Sequence, residues 1–185
     1  MRDIKFVNIL KVNDEIKEKV RQWRNKEEIR KYMLNQHIIT KEEHLSWIES
    51  LRNRNDWKFW VVFVDEIPIG SVYLQNIDFK NLTSEWGFYI GEDDFKGKGL
   101  GKCILFKLLE FYFEEMRFEV LFTKVVSNNT VALNMYKKFE FKIIHSFLDN
   151  QRKIVFLEFT KNDWLEQKEK LKNECLYKNK EQKNR

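Results

Sequence analysis

Apolar and polar positions change rhythm several times along the chain, and each change marks an element. An apolar run, Ile4–Leu10, opens the chain as a strand. Asn13 or Asp14 then caps a helix that sets Ile16, Val20 and Trp23 at near-helical spacing. Lys26–Leu34 reads as a second, short helix. Thr40-Lys41-Glu42-Glu43 has the form of a capping box, with Thr40 at the cap and Glu43 three residues on. It starts a helix through about Arg52, with Leu45, Ile48 and Leu51 facing inward. Two apolar runs follow, Phe59–Val64 and Ile67–Leu74, and only Asp65-Glu66 separates them, which predicts a hairpin. A further strand, Ser84–Ile90, follows the polar stretch Asp78–Thr83. Beyond a glycine-rich loop a long apolar helix runs to about Met116. Then come a strand, Val120–Val126, and a helix, Thr130–Phe139. Two last apolar runs, Phe141–Leu148 and Lys153–Phe159, flank the turn Asp149-Asn150.

A meandering first half and a second half that alternates strand with helix predict one mixed α/β sheet with helices on both faces. After Thr160 the pattern weakens. Trp164, Leu165, Leu171 and Leu176 support one amphipathic helix, and Lys178–Arg185 is expected to fray. Residues 1–161 are therefore read as one domain and 162–185 as a basic C-terminal helix or tail.

Charge changes little in this picture. Of the net +5, the last 25 residues carry +3, so the first 160 are close to neutral. A nucleic-acid binder places a denser basic stripe on its folded part, so no nucleic-acid partner is expected. No apolar run approaches the length of about eighteen residues that a membrane span needs. The opening MRDIKFVNIL lacks a signal peptide's apolar core and cleavage site, so a cytoplasmic protein is expected. Cys103 and Cys175 lie far apart and are expected to be reduced thiols. His37, His44 and His145 show no metal-ligand spacing, and no metal is expected.

The most informative stretch is Lys96-Gly97-Lys98-Gly99-Leu100-Gly101-Lys102, between a strand and a helix. Alternating glycines let successive backbone N–H groups point at an anion, and the helix start favours negative charge there. A Rossmann fingerprint fails because position 102 is Lys, and a P-loop fails at Lys96 and Cys103. The bland alternative is a glycine-softened helix start.

The next strand ends at Ser127-Asn128-Asn129, and the following helix reads Asn129-x-x-Ala132-x-x-x-Tyr136. Ala132 is the only alanine in the chain, which suggests a place where bulk is forbidden. Asn129 and Tyr136 fall near one helix face, so a cap and a phenol could reach one ligand; otherwise Asn129 merely caps and Tyr136 is core.

The two stretches together resemble the GNAT acyl-CoA-dependent N-acetyltransferases. That family has Gln/Arg-x-x-Gly-x-Gly/Ala at a helix start, then Asn-x-x-Ala-x-x-x-Tyr after the next strand. The first position here is Lys96, and Glu140 stands where members often have Gly. The resemblance implies a mostly antiparallel seven-stranded sheet with one parallel pair that splays apart, here Ser84–Ile90 and Val120–Val126. It implies acetyl-CoA as cosubstrate, with its pantetheine arm along Phe88, Tyr89 and Ile90. The pyrophosphate would meet the Lys96–Lys102 loop: Lys96, Gly97, Lys98, Gly99, Leu100, Gly101 and Lys102. Asn129 and Ala132 would flank the pantetheine region, and Tyr136 would protonate the departing thiolate. Glu85 is the first candidate base, on one strand face with Gly87 and Tyr89; alternatively it is a strand-end acid reaching solvent. Small Gly87 would leave space beside it. Cys103, early in the helix, could carry an acetyl group, but its stripe with Leu100, Ile104 and Leu108 reads as core.

The text around Trp23, Arg24, Arg30, His44 and Trp47 is similar to members that acetylate amino-sugar nucleotides. More narrowly, it resembles those of pseudaminic acid synthesis, which act on the 4-amine of UDP-4-amino-4,6-dideoxy-N-acetyl-β-L-altrosamine. On that resemblance Arg24, Arg30, His44, Lys80 and Tyr89 would bind a UDP-amino-sugar. Trp23 and Trp47 are otherwise core residues. A homodimer is compatible with this reading. The alternatives are a ribosomal or other protein N-terminal acetyltransferase and a non-catalytic CoA- or nucleic-acid-binding module.

Overall fold

The computed structural model describes residues 3–181, with side chains described as far as Cys175. Seven strands form one sheet in the order β1-β2-β3-β4-β5-β7-β6. They are β1 (Ile4–Asn8), β2 (Trp57–Val64), β3 (Ile67–Asp78), β4 (Thr83–Ile90), β5 (Val120–Val126), β6 (Lys142–Asp149) and β7 (Arg152–Thr160). Every neighbouring pair is antiparallel except β4 with β5. The turn between β2 and β3 has Asp65 and Glu66 both at positive φ, the primed geometry that matches strand twist.

Six helices cover the two faces. They are α1 (Asp14–Asn25), α2 (Glu27–Arg30), α3 (Lys41–Ser50), α4 (Leu100–Glu110), α5 (Thr130–Lys138) and α6 (Lys161–Glu181). Asn13 caps α1 by accepting from the Ile16 amide at 2.9 Å. Thr40 and Glu43 form the reciprocal capping box of α3, a device worth about 1 kcal/mol at a helix start.

One face packs Val62, Val72, Leu74, Trp86, Leu121 and Leu157 against α4, α5 and α6. The other packs Phe59, Val61 and Tyr89 against Val20, Trp23 and Ile48 of α1 and α3. Alternation along each strand thus divides the apolar residues between two cores.

Several expectations are corrected. The helix expected over Lys26–Leu34 stops at Arg30, because the carbonyls beyond it accept from side chains instead. On α3 the inward residue is His44, fully covered, while Leu45 is 44% exposed. His44, Ile48 and Leu51 share the buried stripe at helical spacing. On α6, Trp164 and Leu171 enter the main core while Leu165 points to solvent. Helix α6 packs on α4, and this pairs the cysteines: Cys103 and Cys175 form a disulfide across 72 residues of sequence. The expectation of reduced thiols fails because sequence separation does not reveal which helices lie together. Lys102 and Glu174, the residues just before each cysteine, form an ion pair at 2.6 Å beside the bridge.

Residues 182–185 of the expected frayed end lie outside the described residues. No described helix is long and apolar enough to cross a membrane. Glu140, where the family often has glycine, adopts φ 59°, so the turn keeps its left-handed backbone despite the side chain. The Glu140 carboxylate pairs with Lys170 of α6.

Candidate active site

The parallel ladder between β4 and β5 covers only Thr83–Glu85 against Val120–Phe122. From Trp86 onward β4 stays with β3, and β5 stays with β7. The sheet therefore opens into a wedge at its centre. At the first step past the ladder, Thr123 Oγ1 donates to the Trp86 carbonyl at 3.2 Å. The Tyr136 phenol oxygen, from α5, lies 3.4 Å from the same Oγ1. Tyr136 is buried among Trp86, with rings 6.0 Å apart and edge-on, and Phe141 at 4.9 Å. Burial pushes the Tyr136 phenol well above its ordinary range, so it stays protonated at neutral pH and can donate a proton. Trp86 Nε1 is buried with no partner among the described residues. A buried indole donor without an acceptor is free to bond a polar ligand.

The glycine loop follows β4, and Gly101 at its end lies against Phe88 of β4 and Met135 of α5. Gly97 and Gly99 have φ of 70° and 75°, backbone that glycine adopts without strain. A side chain at Gly97 would meet nothing within 4 Å, so the loop faces open space. Gly99 is the backbone cap of α4, whose first amides are free of side-chain caps. These amides and the start of an eleven-residue helix can hold a pyrophosphate. The lysines differ from one another. Lys96 Nζ is 2.6 Å from Asp93 and 2.9 Å from Glu28. Lys102 is held by Glu174. Lys98 lies over the Phe95 ring, with no ion pair among the described residues. Asn129 Oδ1 caps α5 by accepting from the Ala132 amide at 3.2 Å. Ala132 is half-buried against the core.

Glu85 is not a free carboxylate. It accepts from Lys124 Nζ at 2.9 Å, Asn76 Nδ2 at 3.0 Å and Gln75 Nε2 at 3.3 Å. The space expected beside it is filled, because a side chain on Gly87 would meet the Tyr73 phenol oxygen at 2.3 Å. Cys103, tied up in the disulfide, offers no thiol for an acetyl intermediate.

On the opposite face a cavity of about 350 Å³ opens between the sheet and the N-terminal helices. Tyr73, Gln75, Tyr89, Trp57 and Phe59 supply its sheet wall, and Arg24, His44 and Trp47 its helical wall. Met33, Leu34, Asn35 and Ile39 close the remaining side. The aromatic rings brace one another: Trp47 meets Phe59 edge-on at 4.9 Å, and Phe59 stacks with Tyr73 at 5.9 Å. Arg24 is the only charged lining residue. Burial pulls its pKa down, and its Nη1 is buried without a partner among the described residues. His44 is buried too; burial pulls its pKa below 6.5, so it is neutral. Its Nε2 lies 2.8 Å from the Lys17 carbonyl, which fixes the proton on that nitrogen and leaves Nδ1 bare. Burial also raises Tyr73 and Tyr89, keeping both phenols neutral.

Arg30 and Lys80 do not line this cavity. Arg30 donates to the Gln36 carbonyl at 3.0 Å. Lys80 sits exposed on the β3–β4 turn, whose geometry is set by Asp78. Trp23 is structural: it is buried, donates to Glu92 at 2.9 Å and packs on Gly91. The sequence reading missed Thr123, Trp57, Phe59, Tyr73 and Gln75. The alternation that puts Trp57 with Phe59, and Tyr73 with Gln75, on one face was the available signal. Among the described residues no group of three or more His, Cys, Asp or Glu side chains is placed to share a metal ion.

A sheet split at one parallel pair, with a glycine cradle at the split and a protonated phenol inside it, defines an acyl-CoA-dependent transferase. Residues 9–142 match the acetyltransferase (GNAT) domain family, and the chain belongs to it. It is an acetyl-CoA-dependent N-acetyltransferase. Among curated proteins, it is 32% identical over 143 residues to acetyltransferase PseH of Campylobacter jejuni subsp. jejuni serotype O:2, covering 76% of this chain and 85% of that one. Among solved structures, it resembles C. jejuni N-acetyltransferase PseH in complex with acetyl coenzyme A, with TM-score 0.65 and 25% identity. That match covers 85% of this chain and 99% of the other. Spermidine N-acetyltransferase from Vibrio cholerae, in complex with CoA and spermine, shares the fold at TM-score 0.79 and 15% identity, over 88% of this chain and 98% of the other.

Proposed function

We propose that this enzyme acetylates the 4-amino group of a UDP-linked 4-amino-4,6-dideoxy sugar, UDP-4-amino-4,6-dideoxy-N-acetyl-β-L-altrosamine. The step belongs to pseudaminic acid biosynthesis, which feeds flagellin glycosylation, and the transfer is direct within a ternary complex. One observation carries the acceptor class. The cavity holds one half-buried guanidinium, whose buried Nη1 has no partner among the described residues, and no carboxylate among its lining residues. A half-buried cation without a counter-ion favours an anionic ligand. A polyamine or a peptide N-terminus would call for acids instead. Aromatic walls suit a deoxy-sugar methyl and a sugar ring. A cavity of about 350 Å³ takes a sugar, and the nucleotide would extend beyond it.

The chemistry follows from the placement of groups. The acceptor ammonium first loses a proton. Glu85, bonded to the cavity residue Gln75, is the proposed base, reached through water because its oxygens are engaged. The amine lone pair then forms the N–C bond at the thioester carbonyl. A strand-end N–H near Tyr89 or Ile90 would meet the developing oxyanion. As the C–S bond breaks, the electron pair leaves on sulfur and the Tyr136 phenol protonates it; the second proton, shed by the nitrogen as the amide forms, returns the tyrosinate to the phenol. Phe88–Ile90 would lie along the pantetheine arm and the loop 96–102 on the pyrophosphate, with Asn129 and Ala132 between them. The reading carries a small-molecule partner, a cytoplasmic setting, and neither nucleic acid nor membrane; a homodimer is compatible with it.

The test is thiol release from acetyl-CoA with a panel of acceptors: the altrosamine nucleotide, its UDP-4-amino-sugar epimers, spermidine and ribosomal N-terminal peptides. Saturable release with the altrosamine nucleotide, above the rest, is expected. Release with peptides or spermidine alone would overturn the acceptor and leave the acetyl-CoA site standing.

A further inference from the structure

The wall of the acceptor cavity formed by residues 31–39 is built in an unusual way. From Asn35 to Ile39 it is neither helix nor strand. Its carbonyls are satisfied by side chains. Arg152 donates through Nη1 to Met33 at 2.9 Å and through Nη2 to Leu34 at 2.8 Å. Arg24 donates to Asn35, Arg30 to Gln36, and Arg21 and Asn25 to Ile39. Unpaired carbonyls tolerate many backbone arrangements, so these donors choose one.

Arg152 differs from the other four donors. They come from α1 and α2, directly before the segment in sequence. Arg152 comes from the first residue of β7, more than a hundred residues away. The β6–β7 turn, with Asn150 and Gln151 both at positive φ, delivers it. Asp149 Oδ2 lies 3.7 Å from its Nη2 and steadies the guanidinium. A planar fork can bond two successive carbonyls at once, which an ammonium cannot do as a rigid unit. Met33 and Leu34, the residues it grips, line the inner cavity. Leu34 and Asn35 also border a wider cleft of about 520 Å³, whose far side is Asn150 and Arg152. The gripped segment is therefore the partition between the cavity and the outside.

We propose that Arg152 is a positioning residue for the acceptor: by pinning Met33 and Leu34 it sets the shape of the acceptor cavity from the far end of the sheet. This rests on the reading that the cavity takes the acceptor, and not on which amine that acceptor is. Arg152 touches neither the glycine loop nor Tyr136, so its effect falls on the acceptor alone.

The experiment compares Arg152→Ala and Arg152→Lys with the parent enzyme, using whichever amine of the panel the parent turns over. Hydrogen exchange over residues 31–39 is read in the same preparations. Arg152→Ala should raise the acceptor KM about tenfold or more, leave kcat and the acetyl-CoA Kd within about twofold, and speed exchange across 31–39. Arg152→Lys, which keeps the charge and loses the fork, should recover only part of the KM. An unchanged KM with faster exchange would overturn the role in acceptor recognition, and unchanged exchange would overturn the clamp. A joint loss of acetyl-CoA affinity and melting temperature would assign Arg152 to general stability and also overturn it. A parent enzyme that prefers another amine would count against the sugar-nucleotide reading, not against Arg152.

Discussion

The two faces of the sheet solve different problems. In the proposed reading, recognition on the α4–α5 side is the work of backbone: the open loop at Gly97 and Gly99, the amides starting α4, and the strand edge left bare where β4 leaves β5. On the α1–α3 side the same reading assigns it to side chains: one half-buried guanidinium, a neutral histidine and a set of braced aromatic rings. A backbone cradle reads a feature common to every reaction of the class, the nucleotide's pyrophosphate and amide-bearing arm. A side-chain cavity can be rewritten residue by residue without disturbing the fold. On this proposal, shared chemistry and private specificity lie on opposite sides of one sheet and meet at the wedge beside Thr123.

That division is open to attack by substitution. The largest effect belongs to the meeting point. Tyr136→Phe should lower kcat about 10²–10³-fold with the acetyl-CoA Kd nearly unchanged, as befits loss of a proton donor. Titration calorimetry beside steady-state rates checks this, and parallel loss of binding would make Tyr136 structural. Arg24→Ala should raise the acceptor KM about 10–100-fold, the range for a buried charged hydrogen bond of about 1.5–3 kcal/mol. The acetyl-CoA Kd should stay constant, and Arg24→Lys should restore little.

The mirror experiment is Gly99→Val. A β-branched residue at φ 75° costs about 1–2 kcal/mol of backbone strain, so acetyl-CoA binding should weaken about tenfold with the acceptor KM unaffected. If Arg24 and Gly99 variants each damaged both substrates, the division between faces would fail. The smallest effect is expected at Glu85. Glu85→Gln should lower kcat/KM severalfold with the melting temperature nearly unchanged. An unchanged kcat/KM with a lower melting temperature would reduce Glu85 to the partner of Lys124.

The same division explains what the sequence made legible. Backbone recognition needs particular residues at fixed spacing, so Gly97, Gly99, Gly101, Asn129 and Tyr136 could be named as candidates from the sequence alone. The strands were legible too, because period-two alternation is local. The acceptor cavity was only half legible. Arg24, His44 and Tyr89 were named, whereas Tyr73, Trp57 and Arg152 were not. Their roles depend on which strands and loops meet, and no local pattern encodes that. Lys80 and Arg30 were named because the resemblance called for cations near a pyrophosphate, and the fold places them outside the cavity lining. The Cys103–Cys175 bridge was invisible for the same reason, since only the packing of α6 on α4 brings the two sulfurs together.

The account stands on direct transfer across the wedge, from a donor on one face to an amine on the other. Initial rates with acetyl-CoA and the altrosamine nucleotide varied together test this most directly, with intact-protein mass spectrometry of enzyme held with acetyl-CoA alone. The account predicts intersecting reciprocal plots and no acetylated enzyme. Parallel plots, with an acetyl group retained on the protein before acceptor is added, would contradict it.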